Sequence, residues 1–271
     1  MRLGIVGNGF VGNALYQGFK SFYDVRVYDN NPNRSLHSLK EINECPVIFI
    51  CVPTPMSKEG KIDLSILMDV LNDVRPGLTI IKSTITPAGA DKIKNHFTSH
   101  DVVFNPEFLT ERTAVQDFQN PSRIVLGGDI KSIENVKKIY KNVFPRVEYI
   151  MTDYKTACFI KYMSNCFSAV KISIMNEFKQ VAEKDNINWE DALRGMLSSG
   201  WVNSMHTMVP GPDGDRGFGG KCFPKDINAI ISYAIDLGIE PKVLQASWEK
   251  NLEVREDQNW LEIPGAVSNN F

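Results

Sequence analysis

The residues best suited to chemistry in this 271-residue chain lie in one glycine-rich stretch, residues 217–226. Cys222 follows three glycines there and precedes Pro224, a residue that suits the first turn of a helix. The N–H groups at a helix start favour the thiolate, which is the nucleophilic form of cysteine. Taken alone, a cysteine is more often a small buried apolar side chain. The other polar motifs of the chain favour a nucleophile, with Asp226 beside it as an acid or base.

A lysine and an asparagine form a second polar cluster. Lys161 and Asn165 fall within residues 153–184, a stretch without proline or glycine that predicts one long helix capped by Asp153. Their spacing of four places both side chains on one face of that helix. Because their neighbours are apolar, we expect the pair to project from a partly buried surface. A cation beside an amide there would stabilise a developing oxyanion, whereas the alternative is a solvated lysine.

Two carboxylates follow a predicted strand at residues 102–104. Glu107 and Glu111 are four residues apart, so they would share one face if this stretch is helical. Ligands of doubly wound α/β sheets bind at the carboxyl ends of the strands. The position therefore predicts carboxylates that move protons, and the alternative is a solvated acidic turn.

The three clusters together suit an alcohol oxidation that passes through a covalent thioester. Cys222 would capture an intermediate aldehyde as a thiohemiacetal, and a second oxidation would give the thioester that water hydrolyses. Lys161 and Asn165 would stabilise the oxyanion. Either Asp226 or a carboxylate of the acidic cluster would position water or transfer protons. Such a reaction requires a hydride acceptor.

A dinucleotide fingerprint at the start of the chain meets that requirement. Residues 2–6 read as a buried strand, residues 7–12 have the spacing GxGxxG, and a helix and second strand follow, ending at Asp29. An acidic residue at this position accepts both ribose hydroxyls and repels a 2′-phosphate, which favours NAD. Arg34 lies close by and leaves NADP as the alternative. The predicted contacts here are Gly7, Gly9, Phe10, Val11, Gly12 and Asp29.

The remaining pattern predicts an α/β protein in two domains. Strands alternate with helices up to residue 150, as in a Rossmann-like doubly wound sheet, and residues 151–262 read as the long helix followed by a small all-helical domain. Residues 263–271 are expected to be a loose tail. Loops after two predicted strands add candidate ligand contacts at the strand ends: Val52, Pro53, Thr54 and Thr84.

Composition excludes several classes of protein. A formal charge of −2 provides no basic patch for nucleic acid and no cationic face for a membrane, and no apolar run is long enough to span one. The first residues lead straight into a strand, so no signal peptide is expected. Five cysteines without paired spacing argue against disulfides, and neither they nor the four histidines are spaced as metal ligands. We therefore expect a reducing, cytoplasmic setting and no metal site.

Several longer stretches point to a known family. They are residues 50–55, 82–84, 105–111, 117–125, 161–165 with Lys171, Ile172, Asn176 and Glu177, and 217–226. Together with residues 7–12 and Asp29, they resemble the UDP-glucose/GDP-mannose dehydrogenase family, and the likeness covers nearly the whole chain. UDP-glucose 6-dehydrogenases are the members that it resembles most.

The resemblance implies roles for individual residues. Cys222 would be the nucleophile, and Asp226 would act with Lys161 around the reacting alcohol and a bound water. Asn165 would complete the oxyanion site, Glu111 would assist thioester hydrolysis near the nicotinamide, and Thr84 would lie beside both. Thr54 and Lys225 would contact NAD. The residues implied to line the sugar-nucleotide cleft are Glu107, Phe108, Leu109, Lys161, Asn165, Phe218 and Gly219.

The resemblance also has a large departure, because family members normally continue for a further nucleotide-binding domain. The sequence ends at Phe271, so we expect that domain to be lacking and the substrate contacts to be fewer. The leading hypothesis is a homodimeric, NAD-dependent enzyme that oxidises a nucleotide sugar to its uronic acid. One alternative is a single-step dehydrogenase of the 3-hydroxyacid type, in which a lysine and an asparagine are similarly paired but no thiol is needed. The other is a non-catalytic module that binds NAD or a nucleotide.

Overall fold

The computed structural model describes residues 1–268 and contains two compact units. The first unit comprises Met1–Thr54 and Asp63–Lys161, and the second comprises Pro55–Ile62 together with the chain from Tyr162 onward. The division falls inside the long helix rather than at residue 150, and a short segment of the predicted first domain joins the second unit. A change from strands to helices along the sequence reveals neither of these two features.

The first unit is built on a seven-stranded sheet with the order β2-β1-β3-β4-β5-β6-β7. Its strands are β1 (Arg2–Val6), β2 (Asp24–Tyr28), β3 (Val47–Ile50), β4 (Leu78–Ile81), β5 (Asp101–Phe104), β6 (Arg123–Gly128) and β7 (Glu148–Thr152). All neighbouring strands are parallel except β5 and β6. The order reverses between β1 and β3, and this reversal is the ligand-binding point of doubly wound sheets.

Helices connect these strands, and the apolar side chains between the helices and the sheet form the core. The helices of this unit are α1 (Phe10–Phe19), α2 (Leu39–Ile42), α3 (Ser65–Asp73), α4 (Pro87–His96), α5 (Ala114–Gln119) and α6 (Ile130–Val143), with a 3-10 turn at Glu111–Thr113. Strand β3 is buried at every position, as expected for a central parallel strand. The predicted Rossmann-like α/β fold is confirmed.

The second unit is helical. After the long helix α7 (Tyr154–Lys184), which begins in the first unit, come α8 (Trp189–Leu197), α9 (Phe223–Asp236), α10 (Lys242–Val254) and a 3-10 turn at Asn259–Leu261. Asp153 Oδ1 accepts a hydrogen bond from Thr156 N at 3.0 Å, which confirms the predicted cap of α7. One core cluster of this unit forms where α7, α9 and the loop before α9 bring together Tyr162, Cys166, Phe218, Ile227 and Ile230.

The expected loose tail is wrong for residues 263–268, while residues 269–271 lie outside the described chain. Met56 N donates to Ala266 O at 2.9 Å, and Ser268 N donates to Met56 O at 2.9 Å. Ala266 and Ser268 are buried. The segment is ordered by pairing with a partner more than half the chain away, and a local sequence pattern does not reveal such a partner.

Candidate functional site

The glycine turn between β1 and α1 is shaped by close backbone contacts. Gly7 has φ +92°, and a Cβ there would lie 2.7 Å from Cys51 O. A Cβ on Gly12 would lie 1.8 Å from Gly7 O. Gly9, in contrast, faces open space within 4 Å and caps α1 without a side-chain hydrogen bond. The start of α1 is therefore accessible to an anion such as a pyrophosphate.

Asp29 lies beside this turn at the end of β2. Its Oδ2 accepts from Asn8 N at 2.6 Å and its Oδ1 accepts from Asn31 N at 2.9 Å. Each carboxylate oxygen can accept a further hydrogen bond, as a ribose hydroxyl requires. Asn8 Oδ1 is buried, and the described residues provide no donor for it. An acceptor without a donor at this turn fits a dinucleotide, whose hydroxyl groups would supply one.

The loops after β3 and β4 are joined by two hydrogen bonds. Thr54 Oγ1 donates to Thr84 O at 2.7 Å, and Ser83 Oγ donates to Val52 O at 2.7 Å. Val52 and Thr54 are buried. The structure thus brings the predicted loop residues Val52, Pro53, Thr54 and Thr84 together at the carboxyl ends of adjacent strands.

Lys161 is buried and paired with Glu107. Its Nζ donates to Glu107 O at 2.6 Å and to Glu107 Oε1 at 2.8 Å. The second carboxylate oxygen, Oε2, accepts from Leu109 N at 2.7 Å. Phe108, between these residues, lies under two cations, with Arg123 at 4.3 Å and Lys161 at 5.5 Å from the ring centroid. The predicted residues Glu107, Phe108 and Leu109 therefore form a loop that holds the lysine.

The condition under which Glu107 and Glu111 would share one face is not met. Residues 105–110 are not helical, so Glu107 and Glu111 do not share a helical face; Glu107 is buried and Glu111 is exposed in the 3-10 turn. The helix surface around Lys161 is partly buried, as expected: Lys161 is buried and Asn165 half-buried, while Met163 and Phe167 on the same helix are exposed. A proline at residue 106 disfavours a helix for the residue before it.

A buried lysine that the sequence analysis did not single out stabilises the same loop. Lys82 Nζ donates to Asn105 O at 3.0 Å and to Asn105 Oδ1 at 3.1 Å. Tyr140 O–H also donates to Asn105 Oδ1, at 2.5 Å. Burial lowers the pKa of Lys82 to about 8 and raises the pKa of nearby Cys51 to about 12. The only sign of this buried lysine in the sequence is its position directly after the mostly apolar strand β4.

In the second unit, Cys222 is the residue immediately before α9. Pro224 lies in the first turn of that helix, and Asp226 N donates to Cys222 O at 2.9 Å as the turn closes. The half-buried thiol therefore lies at a helix start, as predicted, where the partial positive charge favours an anion. None of the five cysteines forms a disulfide.

Asp226 is almost completely buried and has two side-chain donors. Asn165 Nδ2 donates to its Oδ2 at 2.6 Å, and Lys225 Nζ donates to its Oδ1. Asn165, Asp226 and Cys222 thus belong to one local arrangement. The ammonium group of Lys225 pairs with Asp226, and the contact of Lys225 with the cofactor stays a prediction.

Phe218 and Gly219, which were predicted to line a sugar-nucleotide cleft, lie in the packed loop before Cys222, and their contact with a substrate stays a prediction. The Phe218 side chain is 3% exposed and packs in the core of the second unit against Phe223 and Trp248. A Cβ on Gly219 would lie 2.4 Å from Arg255 Nη2, so the loop contacts a guanidinium group at this point. The glycines here permit close packing of the loop that precedes Cys222.

Two further properties of the described chain bear on function. Within residues 1–268, no helix combines the length and apolar character that crossing a membrane requires. The same residues contain no group of three or more His, Cys, Asp or Glu side chains arranged to hold a metal ion.

Comparison with known proteins agrees with these features. Residues 33–144 match the model of the NAD-binding domain of the UDP-glucose/GDP-mannose dehydrogenase family, and residues 155–253 match the model of its central domain. These matches and the fit of the glycine turn indicate NAD as the cofactor.

Individual relatives show the same likeness. A UDP-glucose 6-dehydrogenase of Rickettsia felis is 36% identical over 227 residues, which cover 78% of this chain and 48% of that protein. The corresponding enzyme of Pseudomonas aeruginosa is 30% identical over 230 residues, covering 79% and 50%. A solved UDP-glucose dehydrogenase structure from Pyrobaculum islandicum has 26% identity and a TM-score of 0.83, covering 93% of this chain and 68% of that one. The chain spans about half the length of the curated relatives it matches.

Proposed function

Because the chain belongs to the UDP-glucose/GDP-mannose dehydrogenase family, we propose that it oxidises a nucleotide sugar at C6 to the uronic acid, with UDP-glucose as the preferred substrate. The observation that carries this proposal is the position of Cys222 at the start of α9, with Asp226 held one turn further on by Asn165. A single oxidation of an alcohol needs no thiol, whereas oxidation to a carboxylate proceeds readily through a thioester.

The first unit would hold the cofactor. Backbone groups of Gly7, Gly9, Phe10, Val11 and Gly12 would bind the pyrophosphate at the start of α1, and Asp29 would accept hydrogen bonds from the ribose hydroxyls. The loops containing Val52, Pro53, Thr54 and Thr84 would line the nicotinamide end. When bound, NAD accepts a hydride in each of the two oxidations. The hydrogen bonds from Thr54 to Thr84 and from Ser83 to Val52 hold these two loops together at the proposed nicotinamide site.

Cys222 carries the covalent part of the reaction. The primary alcohol loses a hydride and a proton to become an aldehyde, and the Cys222 thiolate adds to the aldehyde carbon to form a thiohemiacetal. Loss of a second hydride gives a thioester bonded to Sγ. Water then adds to the thioester carbonyl, the C–S bond breaks, and the carboxylate leaves with the thiol restored. The sugar loses four electrons in total, as two hydrides.

The polar side chains assigned to the reaction control charge and protons. Lys161, fixed by Glu107, and the side-chain amide of Asn165 stabilise the oxyanion of the tetrahedral adducts. Asp226 accepts the proton of the alcohol or of water, and its two donors hold its carboxylate in one orientation. Glu111 assists the hydrolysis of the thioester, and Thr84 orients a water molecule near the nicotinamide. The residues assigned to sugar-nucleotide binding are Glu107, Phe108 and Leu109 of the first unit, and Phe218 and Gly219 of the second.

A homodimer through α7 is also proposed. Its second-unit portion presents exposed apolar side chains with helical spacing: Met163, Phe167, Ile174, Phe178 and Val181. Phe167 alone is 74% exposed, and a contiguous apolar stripe of this kind marks an interaction surface. A dimer should be seen in light scattering, and Phe167→Glu should convert it to a monomer. Because its five thiols form no disulfide, we place the protein in the reducing cytoplasm.

The experiment that tests the function is turnover on a small panel of sugar nucleotides. Purified protein with NAD should reduce the cofactor on UDP-glucose faster than on GDP-mannose or on UDP-N-acetylhexosamines, and the product should be a uronate. NADP should be a poor replacement because of Asp29. Turnover on a 3-hydroxyacid instead, or NAD binding without turnover on any sugar nucleotide, would contradict the proposal.

A further inference from the structure

The loop that leads into Cys222 is held by three side chains spaced four residues apart. Asn251 on α10, Arg255 directly after α10, and Asn259 in the following 3-10 turn contact residues 217–220. The mechanism above does not use any of the three. All of them belong to the second unit, as does Cys222.

Asn251 pairs with the backbone of Phe218 as another strand would. Its Oδ1 accepts from Phe218 N at 2.6 Å, and its Nδ2 donates to Phe218 O at 3.0 Å. Asn251 is fully buried. A Cβ on Gly217, which has φ +65°, would lie 2.3 Å from Asn251 Oδ1, so only glycine permits this approach. Both backbone polar groups of Phe218 therefore depend on one side chain.

Arg255 covers the next residue of the loop. Its guanidinium is 1% exposed, and Nη2 forms an ion pair with Asp213 Oδ2 at 3.0 Å. Nε donates to Asp257 O at 2.7 Å, and Nη1 donates to Arg216 O at 3.3 Å. Since a Cβ on Gly219 would overlap this group, the guanidinium lies directly against the loop backbone.

Asn259 holds the last glycine before the thiol. Its Oδ1 accepts from Gly220 N at 2.9 Å. The neighbouring Trp260 is buried and packs against Trp248 of α10, with ring centroids 5.5 Å apart, so the 3-10 turn is itself anchored. Gly220 has φ +72°, and no atom lies within 4 Å of its Cβ position. Its backbone conformation is therefore fixed by the hydrogen bond to Asn259 rather than by packing.

We propose that Asn251, supported by Arg255 and Asn259, is a positioning residue for the nucleophile: it determines the backbone path into Cys222 and thereby places Sγ at the start of α9. None of the three needs to touch the substrate. The inference rests on the proposed role of Cys222. Reacting atoms must approach to about 3–3.5 Å, and a misplacement of about 1 Å can lower the rate about 100-fold.

The test compares Asn251→Leu with a matched control on the same helix. Ser247 lies one turn earlier on α10, is buried, and bonds Ser173 rather than the glycine loop, so Ser247→Ala disturbs α10 packing alone. The readouts are the rate at which iodoacetamide alkylates Cys222 at pH 7, located by peptide mass spectrometry, and the kcat and KM for uronate formation. Near-ultraviolet circular dichroism verifies folding.

In Asn251→Leu we expect iodoacetamide to alkylate Cys222 about tenfold more slowly, because the thiol moves away from the helix start that favours its thiolate. The Asn251→Leu substitution should also lower kcat about 100-fold with little change in the KM for NAD. Ser247→Ala should keep the wild-type alkylation rate and the wild-type kcat. A folded Asn251→Leu protein with wild-type alkylation and kcat would overturn the proposal, and so would equal losses in Ser247→Ala.

Asn259→Ala keeps the test decisive if Asn251→Leu does not fold, because it removes only one loop hydrogen bond. A smaller loss of alkylation rate in this variant supports the proposal, and an unchanged rate contradicts it. Alkylation does not depend on turnover. If the wild-type protein oxidises no sugar nucleotide, the proposed function fails, while the alkylation rates still decide whether the loop is positioned by Asn251.

Discussion

Lys161 and Glu107 form a buried ion pair in which Lys161 Nζ lies 2.8 Å from Glu107 Oε1 and 2.6 Å from the carbonyl oxygen of the same residue. The two residues are 54 positions apart in the chain, and both are almost completely removed from water. The pair places a cation at a defined position on α7, one turn before Asn165. The same lysine therefore contributes to the stability of the first unit and to the proposed stabilisation of the oxyanion.

Removing one partner of this pair should be costly. Glu107→Ala leaves the Lys161 cation buried without its carboxylate, and we expect the free energy of unfolding in urea to fall by about 3–5 kcal/mol. The matched control is Glu240→Ala, which removes an exposed partner of Lys242 and should cost less than about 1 kcal/mol. Similar losses in the two variants would show that the buried pair contributes no more than a surface pair.

Alanine substitutions at two glycines of the turn between β1 and α1 should have opposite effects on stability. Gly9→Ala should fold with a nearly unchanged melting temperature, because its Cβ meets nothing within 4 Å, yet bind NAD at least about tenfold more weakly in calorimetry. Gly12→Ala should fail to fold or melt much earlier, since its Cβ would lie 1.8 Å from Gly7 O. Unchanged NAD affinity in a folded Gly9→Ala protein would argue against pyrophosphate binding at this helix start.

Lys82 should make stability depend on alkaline pH. Burial lowers its pKa in the folded protein from 10.5 to about 8, so between these values the unfolded chain binds a proton that the folded chain does not. The free energy of unfolding therefore rises with pH in this window, by about 2 kcal/mol between pH 7.5 and pH 10. Urea titrations of the wild type and Lys82→Met isolate this effect. The two pH profiles should diverge in this window, and parallel profiles would contradict the assignment.

Brief alkylation at neutral pH should modify Cys222 before the other cysteines. Burial raises the pKa of Cys45, Cys51, Cys158 and Cys166, so their thiolates are scarce, whereas Cys222 is half-buried at a helix start. Peptide mass spectrometry after a short exposure to iodoacetamide measures this selectivity, and Cys222→Ala serves as the control. Faster labelling at Cys51 or Cys45 would contradict the prediction.

Local patterns predicted the parts of the molecule that depend on neighbouring residues. The glycine turn, the alternation of strands and helices, the end of α7 at Lys184 and the start of α9 after Cys222 all follow from spacing, caps and proline. Contacts between distant residues were not predictable in this way. The partners of Lys161, Lys82 and Arg255 depend on the tertiary fold, because nothing next to a buried cation in the sequence identifies its partner. The pairing of residues 266–268 with Met56 depends on the tertiary fold as well.

The central claim is that Cys222 carries the sugar through a thioester, and the ratio of reduced cofactor to sugar consumed tests it most directly. With UDP-glucose limiting and NAD in excess, the wild-type protein should form two molecules of NADH for each uronate, measured by absorbance and chromatography. Cys222→Ala should form no uronate, while Cys45→Ala, a control at a buried thiol, should keep the ratio of two. One NADH per sugar, unchanged by Cys222→Ala, would contradict the account.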